Sequence, residues 1–162
     1  MYVETTEPLT PDEILQQLQA LVQGDPDGIA CLANAAAILF LHVPEISWVG
    51  FYLQRGEDLV LGPFQGKPAC TRIGPGRGVC GTSFTRGETL VVEDVNRFPG
   101  HIACDAASRS EVVVPLRVGG RAIGVLDCDA PTVARFGAEE RALFERAAGI
   151  VGSWLEASGA SV

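Results

Sequence analysis

Positive charge is scarce in this chain: 12 Lys and Arg stand against 20 Asp and Glu, a formal net charge of −8 at pH 7. Nucleic acid and anionic membrane would be repelled, so neither is expected as a partner, and a small ligand suits the chain better. Long apolar runs are also missing. The longest, Ile29 to Val43, contains Asn34 and His42 and stops at Pro44, short of the roughly 20 residues that span a bilayer. Met1 to Thr10 is acidic and has no basic segment leading into an apolar one, which excludes a signal peptide. These absences predict a cytoplasmic protein with no membrane partner.

Cysteine pairs at metal-site spacing are absent as well. The five cysteines, Cys31, Cys70, Cys80, Cys104 and Cys128, include no CxxC, and His42 and His101 have no companion pattern. Zinc is therefore weakly supported. An odd cysteine count without a secretion signal argues against a structural disulfide framework. Redox or nucleophilic thiols remain open.

The 162 residues are 47% hydrophobic, enough for one core without staples, and no repeat or low-complexity linker divides them. A single domain over 10–157 is expected, with short tails at 1–9 and 158–162. Thr10 to Glu13 reads as a capping box with Pro11 at the first helical position, opening a helix that Gly24 ends. A second helix, Gly28 to His42, is apolar on nearly every side and is expected to be sandwiched in the core. Strands follow at Ser47 to Leu53, Leu59 to Gly62 and Thr89 to Val92, with Gly66 to Thr85 mostly loop around a short helix near Gly81. Val112 to Val118 and Ala122 to Asp129 flank Gly119 and Gly120, the clearest hairpin signal, and a last helix covers Ala138 to Ala157. The fold class is α+β, an antiparallel sheet with helices on one face and the loops between Gly66 and Glu111 enclosing a pocket on the other.

Several patterns bear on chemistry. Gly76 to Gly81 matches GxGxxG, but its flanks look like hairpins, so a loop that needs positive φ is preferred to a dinucleotide site. Asp127 and Asp129 alternate along one strand and share a face, with Cys128 on the other, and want a cation: magnesium or a substrate ammonium. Glu111 faces Cys128 if Gly119 and Gly120 form a plain two-residue turn. With a three-residue turn or a bulge it lies across from Asp129, and three carboxylates cluster. Trp48 and Tyr52 share a face and suit either core packing or an aromatic wall. Cys31 reads as core filler, whereas Cys70, Cys80 and Cys104 fall in irregular or Gly-rich segments where a thiol can be exposed. The stretch from Gly100 to Pro115 sets such a thiol just before a strand that opens with Glu111.

The strings GPFQGKPAC, GRGVCG and HIACDAASRSE, with Trp48 to Tyr52 and Gly124 to Asp129, resemble the free methionine-(R)-sulfoxide reductases, small GAF-domain enzymes. The resemblance runs over roughly Leu15 to Leu155. It implies a GAF fold with a six-stranded antiparallel sheet, and reduction of free L-methionine (R)-sulfoxide to methionine. It implies Cys104 as nucleophile, Cys70 as resolving partner and Cys80 as a third thiol nearby, with thioredoxin as external reductant and no bound metal, flavin or nicotinamide. Asp127 would then protonate the sulfoxide oxygen, Glu111 and Asp129 would hold the substrate's ammonium, and Trp48 and Tyr52 would receive its methyl side. Cys128 stands where an aliphatic residue is usual in that family and is expected to face the helices. A homodimer is a possible assembly. Two other readings share these residues: a ligand-sensing GAF module, and a thiol redox sensor without turnover.

Overall fold

In the computed structural model, which describes residues 8–23, 26–102, 104 and 106–162, the Thr10 capping box forms as its sequence predicts. The Thr10 N–H donates to Glu13 Oε2 at 2.8 Å and the Glu13 N–H donates to Thr10 Oγ1 at 3.4 Å. Together they start α1, Pro11–Val22; Gly24, expected to end it, lies outside the described residues. Helix α2 is Gly28–His42, capped where Asp27 accepts from the Ala30 N–H. Among the described residues, six strands, a 3-10 turn at Val95–Arg97 and two further α-helices follow: β1 Trp48–Arg55, β2 Asp58–Gly66, β3 Arg72–Ile73, α3 Gly78–Arg86, β4 Leu90–Val92, β5 Ser110–Val118, β6 Arg121–Ala130 and α4 Ala138–Ser158. The sheet order is β3-β2-β1-β6-β5-β4, with every pairing antiparallel.

The sheet divides the apolar residues by strand alternation. Val49, Phe51 and Leu53 of β1, with Leu126 and Cys128 of β6, meet α1, α2 and α4 on one side. Trp48 and Tyr52, with Val113 and Val125, meet α3 and the loops on the other. Cys128 is fully buried on the helix side, where its strand position put it. Helices therefore occupy both faces, because the pocket face is covered partly by α3.

The β5–β6 hairpin settles the register. Gly119 and Gly120 take φ of +56° and +78°, the left-handed pair of a two-residue turn. Alone, that turn would set Glu111 against Cys128. A bulge removes this outcome: Arg117 pairs with Ala122, but Leu116 pairs with Gly124, so Ile123 is the extra residue. From there inward Glu111 lies across from Asp129.

Two expectations give way. Helix α2 is not sandwiched: Ile29, Phe40 and Leu41 are 46%, 39% and 60% exposed. Its neighbours α1 and α4 lie to its sides, which leaves the outer stripe uncovered. The strand expected to end at Gly62 runs on to Gly66, and β3 forms within the loop expected after it, while the short helix expected near Gly81 is α3. Gly76 and Gly78 do take positive φ, as a loop reading of GxGxxG requires.

Helix α4 rests directly on β5, where a Cβ on Gly152 would collide with the Arg117 carbonyl oxygen. Gly152→Ala should therefore destabilise the protein by roughly 1–3 kcal/mol despite alanine's better helix propensity. Urea unfolding measures this; an unchanged or raised midpoint would show that α4 can slide away freely.

Candidate functional site

Three strands bring the site together. Trp48 pairs with Asp129 and Gly50 with Asp127 across β1 and β6, while Glu111 pairs with Asp129 across β5 and β6. Seven of the eight sequence-predicted site residues, Trp48, Tyr52, Cys80, Cys104, Glu111, Asp127 and Asp129, line one pocket beneath the loops. Cys70 joins them through a disulfide to Cys104, with 5.4 Å between the Cα atoms.

The aromatic residues do more than form a wall. Trp48 stacks on Phe64, ring centroids 5.4 Å apart, and its Nε1–H donates to the Lys67 carbonyl at 3.1 Å. The Tyr52 hydroxyl donates to the Cys70 carbonyl at 2.9 Å. These two bonds tether the connection that carries Cys70, so β1 sets the position of one half of the disulfide. Phe64 was missed in sequence because it sits in a Gly-Pro-rich block that reads as past the end of its strand. Ser108, also buried in the pocket wall, carries no periodic signal at all.

Cys80 departs from the exposure argument made for it. It stands in the first turn of α3, is 3% exposed, and directs its thiol at Glu111 Oε1, 3.8 Å away. Burial, then the charges of Asp127 and Glu111, push this thiol far above its usual range. It is a poor thiolate in this setting. Cys70 and Cys104 are half-buried and reach solvent more readily.

The floor of the pocket is acidic and buried. Glu111 and Asp127 are 6% and 5% exposed, and Asp127 Oδ1 has no hydrogen-bond partner. Desolvation, then the charges of Asp127 and Asp129, drives Glu111 well above the carboxylate range. Desolvation lifts Asp127 from 3.8 to about 6. Two buried carboxyls this close cannot both ionise cheaply, so at neutral pH the proton expected on Asp127 belongs to the pair. The arrangement can donate a proton from one carboxyl, attract a cation with the other acids, and make or break a disulfide at its edge.

The GAF domain profile matches residues 11–153. The chain is 50% identical over 128 residues to the free methionine-R-sulfoxide reductase of Escherichia coli, covering 79% of this chain and 78% of that protein. It is 39% identical over 163 residues to the free methionine-R-sulfoxide reductase of Saccharomyces cerevisiae, covering 93% and 90%. Among solved structures, the free methionine-R-sulfoxide reductase from Neisseria meningitidis in complex with its substrate superposes with a TM-score of 0.92 at 43% identity, over 98% of each chain. No helix among the described residues is long and apolar enough to cross a membrane.

The acids give stability a definite pH dependence. Between about pH 4 and 6 the folded protein holds a proton on Asp127 that the unfolded chain has released, so stability falls as pH rises through this window. At 1.36 kcal/mol per unit the loss approaches about 3 kcal/mol, and Glu111 adds to it in the same sense at higher pH. Asp127→Asn should flatten this slope and raise stability above pH 7, as urea titrations across the range would show. A slope identical to the parent's would mean that Asp127 is solvated.

Proposed function

This chain belongs to the GAF-domain free methionine-R-sulfoxide reductase family, and from that premise we propose that it reduces free L-methionine (R)-sulfoxide to L-methionine in the cytoplasm with electrons from thioredoxin. The observation that carries the proposal is a Cys70–Cys104 disulfide at the edge of a pocket floored by Glu111, Asp127 and Asp129. A disulfide is the oxidised product that thiol-based sulfoxide reduction leaves behind.

In this reading Cys104 attacks the sulfoxide sulfur as thiolate. The Glu111–Asp127 pair, with Asp127 as the donor, protonates the sulfoxide oxygen and makes the sulfur more electrophilic. Methionine departs, and the oxygen remains on Cys104 as a sulfenic acid. The Cys70 thiol condenses with it, releasing water and forming the disulfide, which thioredoxin reopens by thiol exchange. Cys80 lies too deep and too protonated to attack first, and serves as a neighbouring thiol donor to Glu111. The ionised acids, Asp129 among them, take the substrate's ammonium. A peptide-bound methionine, with an amide in place of that ammonium, would leave buried charge unpaired at a cost of several kcal/mol. Trp48 and Tyr52 enclose the methyl end. No bound metal, flavin or nicotinamide takes part in turnover. A redox sensor would use the same disulfide, but it has no need of an acid-floored pocket.

NADPH consumption coupled through thioredoxin reductase and thioredoxin tests the reading with each sulfoxide diastereomer. Turnover is expected with the R form only. Cys104→Ser should abolish it, while Cys70→Ser should release about one methionine per chain and then stall. No turnover of the R form by reduced, folded protein would sink the proposal, and equal loss of the first methionine in both variants would overturn the role order of the two cysteines.

A further inference from the structure

The geometry points to a second ligand for the pocket floor: Cys80, Glu111 and Asp127 form a binding site for a thiophilic divalent cation, Zn²⁺, distinct from the redox pair and unneeded for turnover.

The three ligand atoms, one sulfur and two carboxylate oxygens, all lie within 4.8 Å of one another, and every residue of the set is buried. The Cys80–Glu111 contact is nearly at coordination spacing. With Zn–S of about 2.3 Å and Zn–O of about 2.0 Å, a tetrahedral angle puts sulfur and oxygen about 3.5 Å apart. Cys80 Sγ and Glu111 Oε1 are 3.8 Å apart. A shift of a few tenths of an ångström admits an ion between them.

A second observation concerns Asp127. The residue is 5% exposed and lines this pocket, yet its Oδ1 has no hydrogen-bond partner. The Asp127 side chain meets Cys80 and Glu111, but this one buried oxygen is left without a donor, and a cation that displaces the proton shared by the pair would satisfy it. The donor set selects the metal. A thiolate with two carboxylates favours a borderline-soft ion over magnesium or calcium, which take oxygen alone and more of it. A thiol and two acids also balance a divalent charge to within one unit once their protons are released. Three protein ligands leave a fourth position for water.

The disulfide makes this site separable from ordinary chelation by reactive thiols. With Cys70 and Cys104 joined, the remaining thiols are Cys31, Cys80 and Cys128, all buried. Cys31 and Cys128 belong to the helix-side core. Of these thiols only Cys80 lines the pocket, so the oxidised protein keeps the complete site.

The test is a Co²⁺ titration of the oxidised protein, read by the thiolate-to-cobalt charge-transfer band in the near ultraviolet, with Zn²⁺ displacement followed by calorimetry. One ion per chain is expected, with a band that Zn²⁺ abolishes. Cys80→Ser should remove the band and Cys128→Val should keep it. Glu111→Gln, which leaves the thiol in place, should weaken Co²⁺ about tenfold or more while retaining a band at high metal. The absence of any thiolate band in folded oxidised protein would overturn the proposal, as would a band that survives Cys80→Ser or an affinity unmoved by Glu111→Gln. None of these readouts uses turnover, so their failure and the failure of the proposed activity are separate results.

Discussion

The structure depends most on one unfavourable arrangement, two carboxyls buried within reach of each other on one sheet face. Glu111 and Asp127 sit on neighbouring central strands, where neither can turn to solvent without breaking the sheet. Sharing a proton makes the pair tolerable, and it also supplies an acid at neutral pH. The same burial raises the Cys80 thiol, so all three groups are biased toward their neutral forms together. What is lost in stability is recovered elsewhere, chiefly in the apolar layer on the opposite face.

That layer explains how the sheet can carry such a load. Consecutive residues of β6 serve opposite purposes: Asp127 faces the pocket, Cys128 faces the helices, and Leu126 packs beside it. Cys31 and Cys128 are thus isolated from redox chemistry by the thickness of a sheet, although they are chemically identical to the three pocket cysteines. Strand alternation turns Cys128 away from the pocket, and Cys31 is kept from it by its place on α2 behind the sheet.

How much of this could be read in advance follows from which interactions were local. The Thr10 cap, the hairpin glycines and the shared face of Trp48 and Tyr52 depend on neighbours in sequence, and all appear as expected. Glu111 was ambiguous because its partner depended on a bulge at Ile123, a residue with no distinguishing chemistry. Cys80 was misjudged because the glycines around it suggested an open loop. Gly78 and Gly81 instead allow close packing: a Cβ on Gly81 would come within 2.8 Å of the Gly74 carbonyl, and one on Gly78 would press on Ile102. For α2, an all-round apolar sequence suggested burial on every side, but two flanking helices cannot enclose a third.

The loops complete the argument from sheet to chemistry. Cys70 and Cys104 are separated by 34 residues and come from segments that share no strand pairing with each other. Tyr52 and Trp48 hold the first segment by its backbone carbonyls, and Ile102 seats the second against Gly78. The two sulfurs are thus positioned from opposite sides of the pocket, one by the strand that forms its wall and the other by the helix that covers it. Cys80, on that covering helix, points inward to the acids rather than outward to the disulfide. A single chain therefore offers a half-buried disulfide at the pocket edge and a buried thiol directed at the acid floor. The bulge at Ile123 joins the two, because it sets Glu111 under Cys80 while leaving the hairpin turn in its ordinary form.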